Sequence, residues 1–167
     1  MRIASLPADA NIENRPSTFD ALLKTAVSLG PIATAVVHPC DTPSLQAALE
    51  AARFGLIQPI LVGPRTRILR AAESAALDIR NCRIEDTAHS HAAARRAVGL
   101  VHAGEVAALM KGALHTDELM AEVVDHEHGL RTERRSSHVF VLDVPRSQKL
   151  LLLTDGELNM TPDLLDK

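Results

Sequence analysis

The run Ile32-Ala-Thr-Ala-Val-Val37, followed by Thr42-Pro-Ser-Leu-Gln-Ala-Ala-Leu-Glu-Ala-Ala52 and then Pro59-Ile-Leu-Val62, decides the fold class. Its first and last pieces are short, mainly apolar runs of strand length, which suits buried strands. Between them Leu45, Ala48, Leu49 and Ala52 recur at helical spacing, with Thr42 as N-cap, Pro43 at the first helical position and Gly55 as the stop. Strand, helix, strand in so few residues is a βαβ unit, because parallel strands need a crossover and a helix supplies it.

The rhythm continues in both directions. Upstream, Phe19, Leu22, Leu23, Ala26 and Val27 repeat at helical spacing behind Ser17 and Thr18, and Gly30-Pro31 ends the pattern. Downstream, residues 66–76 read as a helix, 78–84 as a weaker strand, 88–103 as a helix closed by Gly104, and 106–110 as a strand. The expected fold is therefore α/β, a three-layer sandwich with a largely parallel sheet. After Gly129 the alternation breaks. Residues 137–144 and 149–154 read as two strands, and the short link Pro145-Arg-Ser-Gln148 favours pairing them antiparallel. Three segments are expected: a mobile N-terminal arm over residues 1–16, a first α/β subdomain over 17–135, and the start of a second α/β subdomain over 136–167.

A chain of 167 residues is long enough to bury a core, and 46% hydrophobic with 23% charged residues is a globular composition. Eighteen basic against 21 acidic residues leave a formal charge of −3, so no global field attracts a phosphate backbone. Three phenylalanines without Trp or Tyr leave almost nothing for unpaired bases to stack on, and nucleic acid is excluded as an expected partner. Cys40 and Cys82 stand far apart and read as reduced thiols, which fits a cytoplasmic protein. Pro7 and Asp9 interrupt any signal-peptide core, and no uncharged apolar run reaches the ~18 residues of a membrane helix.

Ligands of α/β proteins collect at the carboxyl ends of parallel strands, where loops lead into helices. In Ala108-Leu-Met-Lys-Gly-Ala-Leu-His-Thr-Asp-Glu-Leu-Met120 an apolar strand ends in Lys111-Gly112, and Thr116 is the expected N-cap of the next helix. Lys111 there suits a phosphate or a developing negative charge; the competing reading is a solvated lysine beside an ordinary cap, with Asp117 and Glu118 repelling an anion. The glycine-led loop Gly129-Leu-Arg-Thr-Glu-Arg-Arg135 suits phosphate recognition by guanidinium, or is a solvated charge run. Asp155-Gly156, with Asn159 just beyond, ends the last apolar strand and alone reads as a turn. The eight histidines include His89-Ser-His91 and Asp125-His-Glu-His128, but i,i+2 pairs on a helix point apart, and no metal site is expected. No G-x-G-x-x-G, phosphate-binding P-loop or G-x-S-x-G nucleophile elbow is present.

Taken together, several stretches resemble the phosphate acetyl/butyryl transferase (phosphotransacetylase) family. They are Ala35-Val-Val-His-Pro39, Ser44-Leu-Gln-Ala-Ala-Leu-Glu-Ala-Ala52, Pro59-Ile-Leu-Val-Gly-Pro64, Leu109-Met-Lys-Gly112 with Thr116, Gly129-Leu-Arg131, Ser137-His-Val139, and Leu153-Thr-Asp-Gly156 with Asn159 and Pro162. Their order and spacing carry the resemblance, which covers nearly everything after residue 17 and looks most like the branch fused in some bacteria to an enoyl-CoA hydratase domain. The resemblance implies a two-subdomain enzyme, usually a homodimer, that moves an acetyl or butyryl group between coenzyme A and inorganic phosphate. It implies small-molecule substrates, no permanently bound cofactor and no membrane partner. Lys111, Gly112, Thr116, Arg131, Ser137, His138, Asp155 and Asn159 are the substrate-binding residues it points to. The family's catalytic aspartate, serine and arginine lie in the distal half of longer chains, so this chain resembles the N-terminal half and is expected to be inactive alone. Two alternatives stand beside it: a non-catalytic α/β binding or interaction module, and a dehydrogenase-like relative of similar architecture.

Overall fold

The computed structural model describes residues 18–134, 136–144 and 150–154. The chain divides into two compact units, residues 26–135 and the paired segments 1–25 and 136–167. The expected arm over residues 1–16 lies outside the described residues. Helix α1 (Thr18–Ser28) crosses the division, and its apolar side chains Phe19, Leu22, Leu23 and Val27 all remain exposed.

Within residues 26–135, β1 (Ile32–Val37), β2 (Ile57–Gly63), β3 (Arg83–Asp86) and β4 (Ala108–Lys111) form one parallel sheet in the order β3-β2-β1-β4. The intervening helices are α2 (Thr42–Arg53), α3 (Arg65–Ser74), α4 (Ser90–His102) and, after β4, α5 (Thr116–Val123). Side chains alternate across the sheet because the strand period is two. Ala35, Val37, Ile60 and Val62 face one core with Ala93, Ala97 and Leu100 of α4 and Leu119 of α5. Val36 and Leu61 face the other core with Leu45 and Ala48 of α2 and Ile68 and Ala71 of α3. Helices on both faces of a parallel sheet make the three-layer α/β architecture that the alternation implied. The edge strand β3 carries charge: Arg83 pairs with Glu85 and Glu105, and Arg96 with Glu85. Such an edge resists pairing with another chain.

Two local boundaries differ from the sequence reading. The N-cap of α2 is Asp41, one residue ahead of Thr42, and its carboxylate accepts from the Ser44 N–H at 3.0 Å. Asp outcompetes Thr here because an ionised acceptor also meets the positive end of the helix dipole. Residues 78–82 form a turn, and β3 begins only at Arg83. Asp78 accepts from the Arg80 backbone N–H at 3.0 Å and takes its guanidinium at 2.7 Å, which holds its carboxyl down at about 2. Ile79 is still buried in the core, but from a turn, so its apolar character was read as strand.

In the other unit, β5 (Val139–Leu142) and β6 (Leu151–Thr154) pair antiparallel, with Val139 opposite Thr154 and Leu142 opposite Leu151. The link over 145–148 lies outside the described residues. Val139, Phe140, Leu142, Leu151, Leu152 and Leu153 are all exposed.

Leu61 is wholly buried at the centre of the sheet, among residues of α2 and α3. Leu61→Ala is expected to lower unfolding free energy by about 2–5 kcal/mol, the range for leucine truncation in a packed core, as read by urea denaturation.

Candidate functional site

The strand order reverses at β1, with β2 and β3 to one side and β4 to the other. The loop after β1 leads to α2 on one face and the loop after β4 leads to α5 on the other, so the two part and leave a crevice at the carboxyl edge.

Lys111 is the last residue of β4, opposite Val37. Its ammonium curls over its own loop and donates to the carbonyls of Leu114 at 2.9 Å and Gly112 at 3.4 Å. Carbonyl partners orient the charge without neutralising it. Gly112 is pressed onto the end of β1: a Cβ there would lie 2.6 Å from the Val37 oxygen and 2.8 Å from the His38 oxygen. Only a residue without a side chain fits against that backbone. Two hydrogen bonds complete the seam, from Gly112 N–H to Val37 O and from Ala113 N–H to His38 O, both 2.9 Å.

Thr116 is not the N-cap of α5; His115 is. The reason is a carboxylate three residues on: Glu118 accepts from the His115 N–H at 2.9 Å, while Leu119 could do nothing similar for Thr116. Glu118 also accepts from the Ser90 hydroxyl at 2.8 Å and stands 3.1 Å from His91 Nδ1, so one carboxylate ties the starts of α4 and α5 together. The His115 N–H first, then the Ser90 hydroxyl, hold its carboxyl below the ordinary value. Thr116 is in the first turn, exposed beside this crevice.

Arg131 is not brought to the same place. It follows α5, and its loop is pinned by His102 Nε2–H, which reaches the His128 and Gly129 carbonyls at 3.0 and 3.1 Å. His102 ends α4, the helix that leads into the start of β4, so this loop lies at the amino edge of the sheet, opposite Lys111. The Arg131 guanidinium itself donates to His126 Nε2 at 3.0 Å. Ser137 and His138 precede β5 in the other unit; the His138 ring stacks edge-on against Phe140 at 4.2 Å, and its buried Nδ1 has no hydrogen-bond partner. Asp155 and Asn159 lie outside the described residues.

Two residues that sequence reasoning did not assign stand at the crevice. His38 follows β1, is 3% exposed and adopts the left-handed conformation, φ 56°. Its backbone N–H donates to Val62 O at 2.7 Å and its ring Nδ1 lies 2.8 Å from the Ala113 carbonyl. Arg67, on the first turn of α3, donates from Nη1 to His38 Nε2 at 3.4 Å. The available signal was a polar residue directly behind the apolar Ala35-Val36-Val37 end of a strand; nothing in the sequence announced its backbone conformation. Cys40 is nearby, its thiol pushed up by burial and partly drawn back by Arg67.

Among the described residues no three His, Cys, Asp or Glu side chains are arranged to hold a metal ion. The hollow between α4 and α5 that contains His102, Asp125 and His128 is also lined by Arg95 and Glu122, which pair at 3.0 Å. No helix among the described residues is long and apolar enough to cross a membrane.

The chain is 51% identical over 150 residues to a phosphate acetyltransferase of Rhizobium meliloti, a match spanning 90% of this chain and 48% of that protein. It is homologous to phosphate acetyl- and butyryltransferases. A phosphate butyryltransferase of Clostridium beijerinckii is 37% identical over 149 residues, 89% of this chain and 49% of its own length. Among solved structures, a branched-chain phosphotransacylase from Enterococcus faecalis superposes with a TM-score of 0.62 and 25% identity, covering 79% of this chain and 45% of that one. No protein-family model matches. The chain thus spans about half the length of the acyltransferases it matches. These relatives are transferases, and the dehydrogenase-like alternative loses its ground.

Gly112→Ala is expected to destabilise the chain by about 1–3 kcal/mol in urea unfolding, since the added methyl meets backbone that cannot rotate away. For Glu118 the folded-state carboxyl is depressed, so its stabilisation is complete above pH 4.5 and lost as pH falls through the depressed value. Thermal unfolding of Glu118→Gln should show a lower Tm than wild type at neutral pH, with the difference narrowing well below pH 4.5.

Proposed function

We propose that this chain is the N-terminal part of a phosphate acyltransferase that moves an acetyl or butyryl group between coenzyme A and inorganic phosphate. The identity to phosphate acetyltransferases over nine-tenths of the chain carries the reading. The crevice supports it locally: Lys111 supplies an oriented, unneutralised cation, Gly112 lets its loop close against the end of β1, and Thr116 adds a hydroxyl in the first turn of α5. In the direct reaction the CoA thiolate attacks the acyl-phosphate carbonyl, and the departing phosphate needs positive charge beside it. The role of Lys111 is to bear that charge at the carboxyl edge of the sheet. The base and the remaining oxyanion donors belong to the half of the enzyme this chain does not span.

The exposed apolar side chains of the paired strands β5 and β6 support the partial-chain reading, because two strands alone are marginally stable and need a further layer. Arg131, Ser137, His138, Asp155 and Asn159 stay in the proposal on the sequence resemblance, as do the branch fused to an enoyl-CoA hydratase, the homodimer and the cytoplasmic location. A non-catalytic module is favoured by one observation: Lys111 finds partners within its own loop.

Acetyl-CoA, phosphate and a thiol reagent separate the two. The chain alone should release no thiol above background, since about half the acyltransferase length is unaccounted for. Substituted for the matching segment of the Rhizobium meliloti enzyme, it should support turnover, and Lys111→Met in that chimera should lower kcat/KM at least ~10-fold, about 1.4 kcal/mol, with Tm unchanged. A folded but inactive chimera, or a Lys111→Met chimera with ordinary kinetics, rejects the role.

A further inference from the structure

We infer that Arg67 is a second cation of the crevice, contacting a phosphate group of the substrate, and that His38 is the positioning residue that holds it there. The inference deepens the acyltransferase reading and rests on it. Its basis is a chain of contacts across the carboxyl edge. The Ala113 carbonyl can only accept, so His38 Nδ1 carries the proton and Nε2 is left with a lone pair. That lone pair receives Nη1–H of Arg67 at 3.4 Å. One neutral imidazole therefore connects the guanidinium to the Lys111-Gly112-Ala113 loop, and both cations border the same crevice.

Two carboxylates at the helix starts beside it are already engaged. Asp41 caps α2 through Ser44, and Asp86 accepts from the Arg65 backbone N–H at 2.8 Å. Elsewhere, Arg80, Arg83, Arg95 and Arg96 each have a carboxylate within 2.6–3.0 Å. Among the described residues Arg67 pairs with none, and its guanidinium donates to the His38 ring nitrogen. A neutral holder leaves the full positive charge and four other N–H donors for an incoming dianion, with the planar fork suited to two phosphate oxygens. His38 is itself 3% exposed and held in the left-handed conformation, which costs free energy and persists because ring and backbone bonds fix it.

The test is isothermal titration of inorganic phosphate into the 167-residue chain. Arg67→Gln should weaken binding at least ~10-fold, the loss expected for one charge-assisted contact, and Arg67→Lys should restore little of it. His38→Asn is the informative partner. Asparagine tolerates positive φ and can still donate to the Ala113 carbonyl, but its side chain is too short to reach Arg67. It should reproduce the loss while Tm stays near wild type, and combining it with Arg67→Gln should add nothing further. Wild-type affinity in either single variant overturns the inference, as does a wild-type chain that binds no phosphate. Binding that survives Arg67→Gln but disappears with Lys111→Met removes Arg67 from the site while leaving the acyltransferase reading intact. Turnover by the chimera judges that reading separately.

Discussion

The backbone seam between the end of β1 and the loop after β4 is the constraint on which the rest of the crevice depends. Gly112 lies so close to the Val37 and His38 carbonyls that no side chain fits, and two N–H···O bonds join the strands beyond their last paired residues. That closeness brings Ala113 within reach of the His38 ring and leaves Lys111 to curl over its own loop. It also bends the chain after Val37 into a left-handed residue that is not glycine, at a typical cost of about 1–3 kcal/mol. The hydrogen bonds from His38 to Val62 and Ala113 offset it.

Charge is distributed around this seam by the way helices begin. Asp41 caps α2, Asp86 accepts from the first N–H of α3, and Glu118 serves both α4 and α5, so these three acidic side chains serve helix starts. The consequence is local. A chain with a formal charge of −3 presents Lys111 and Arg67 at its crevice, while Asp41, Asp86 and Glu118 accept from backbone N–H groups. The opposite edge has a different character: His102 and Asp125 lock the loop before Arg131 through carbonyl and N–H contacts, and Arg131 rests on His126.

Most of the fold was legible. The apolar runs at Ile32–Val37 and Pro59-Ile-Leu-Val62 read as buried strands, and the helix between them followed from spacing, Pro43 and Gly55. The misreadings were caps and turns. Thr42 and Thr116 looked like N-caps because hydroxyls commonly are, but each lost the position to the residue before it, where a carboxylate could satisfy an N–H. Residues 78–82 looked like strand because Ile79 is a core residue, and one Asp–Arg contact makes them a turn.

For the site, the sequence by itself determined that a lysine and a glycine stand at the end of a buried parallel strand, because local periodicity decides where a strand stops. It could not determine which other strand ends lie beside them. The order β3-β2-β1-β4 brings the loop after β1 against the loop after β4, seventy-five residues apart in the His38–Ala113 contact, and that order is a property of packing between distant segments. The same packing separates Arg131 from Lys111 although they are nearer in sequence than His38 and Ala113, because α5 carries the chain back to the far edge of the sheet. Strand endings are encoded locally, where apolar side chains give way to polar ones; the neighbours of an ending are chosen by the burial of two sheet faces at once, which only the assembled tertiary structure satisfies.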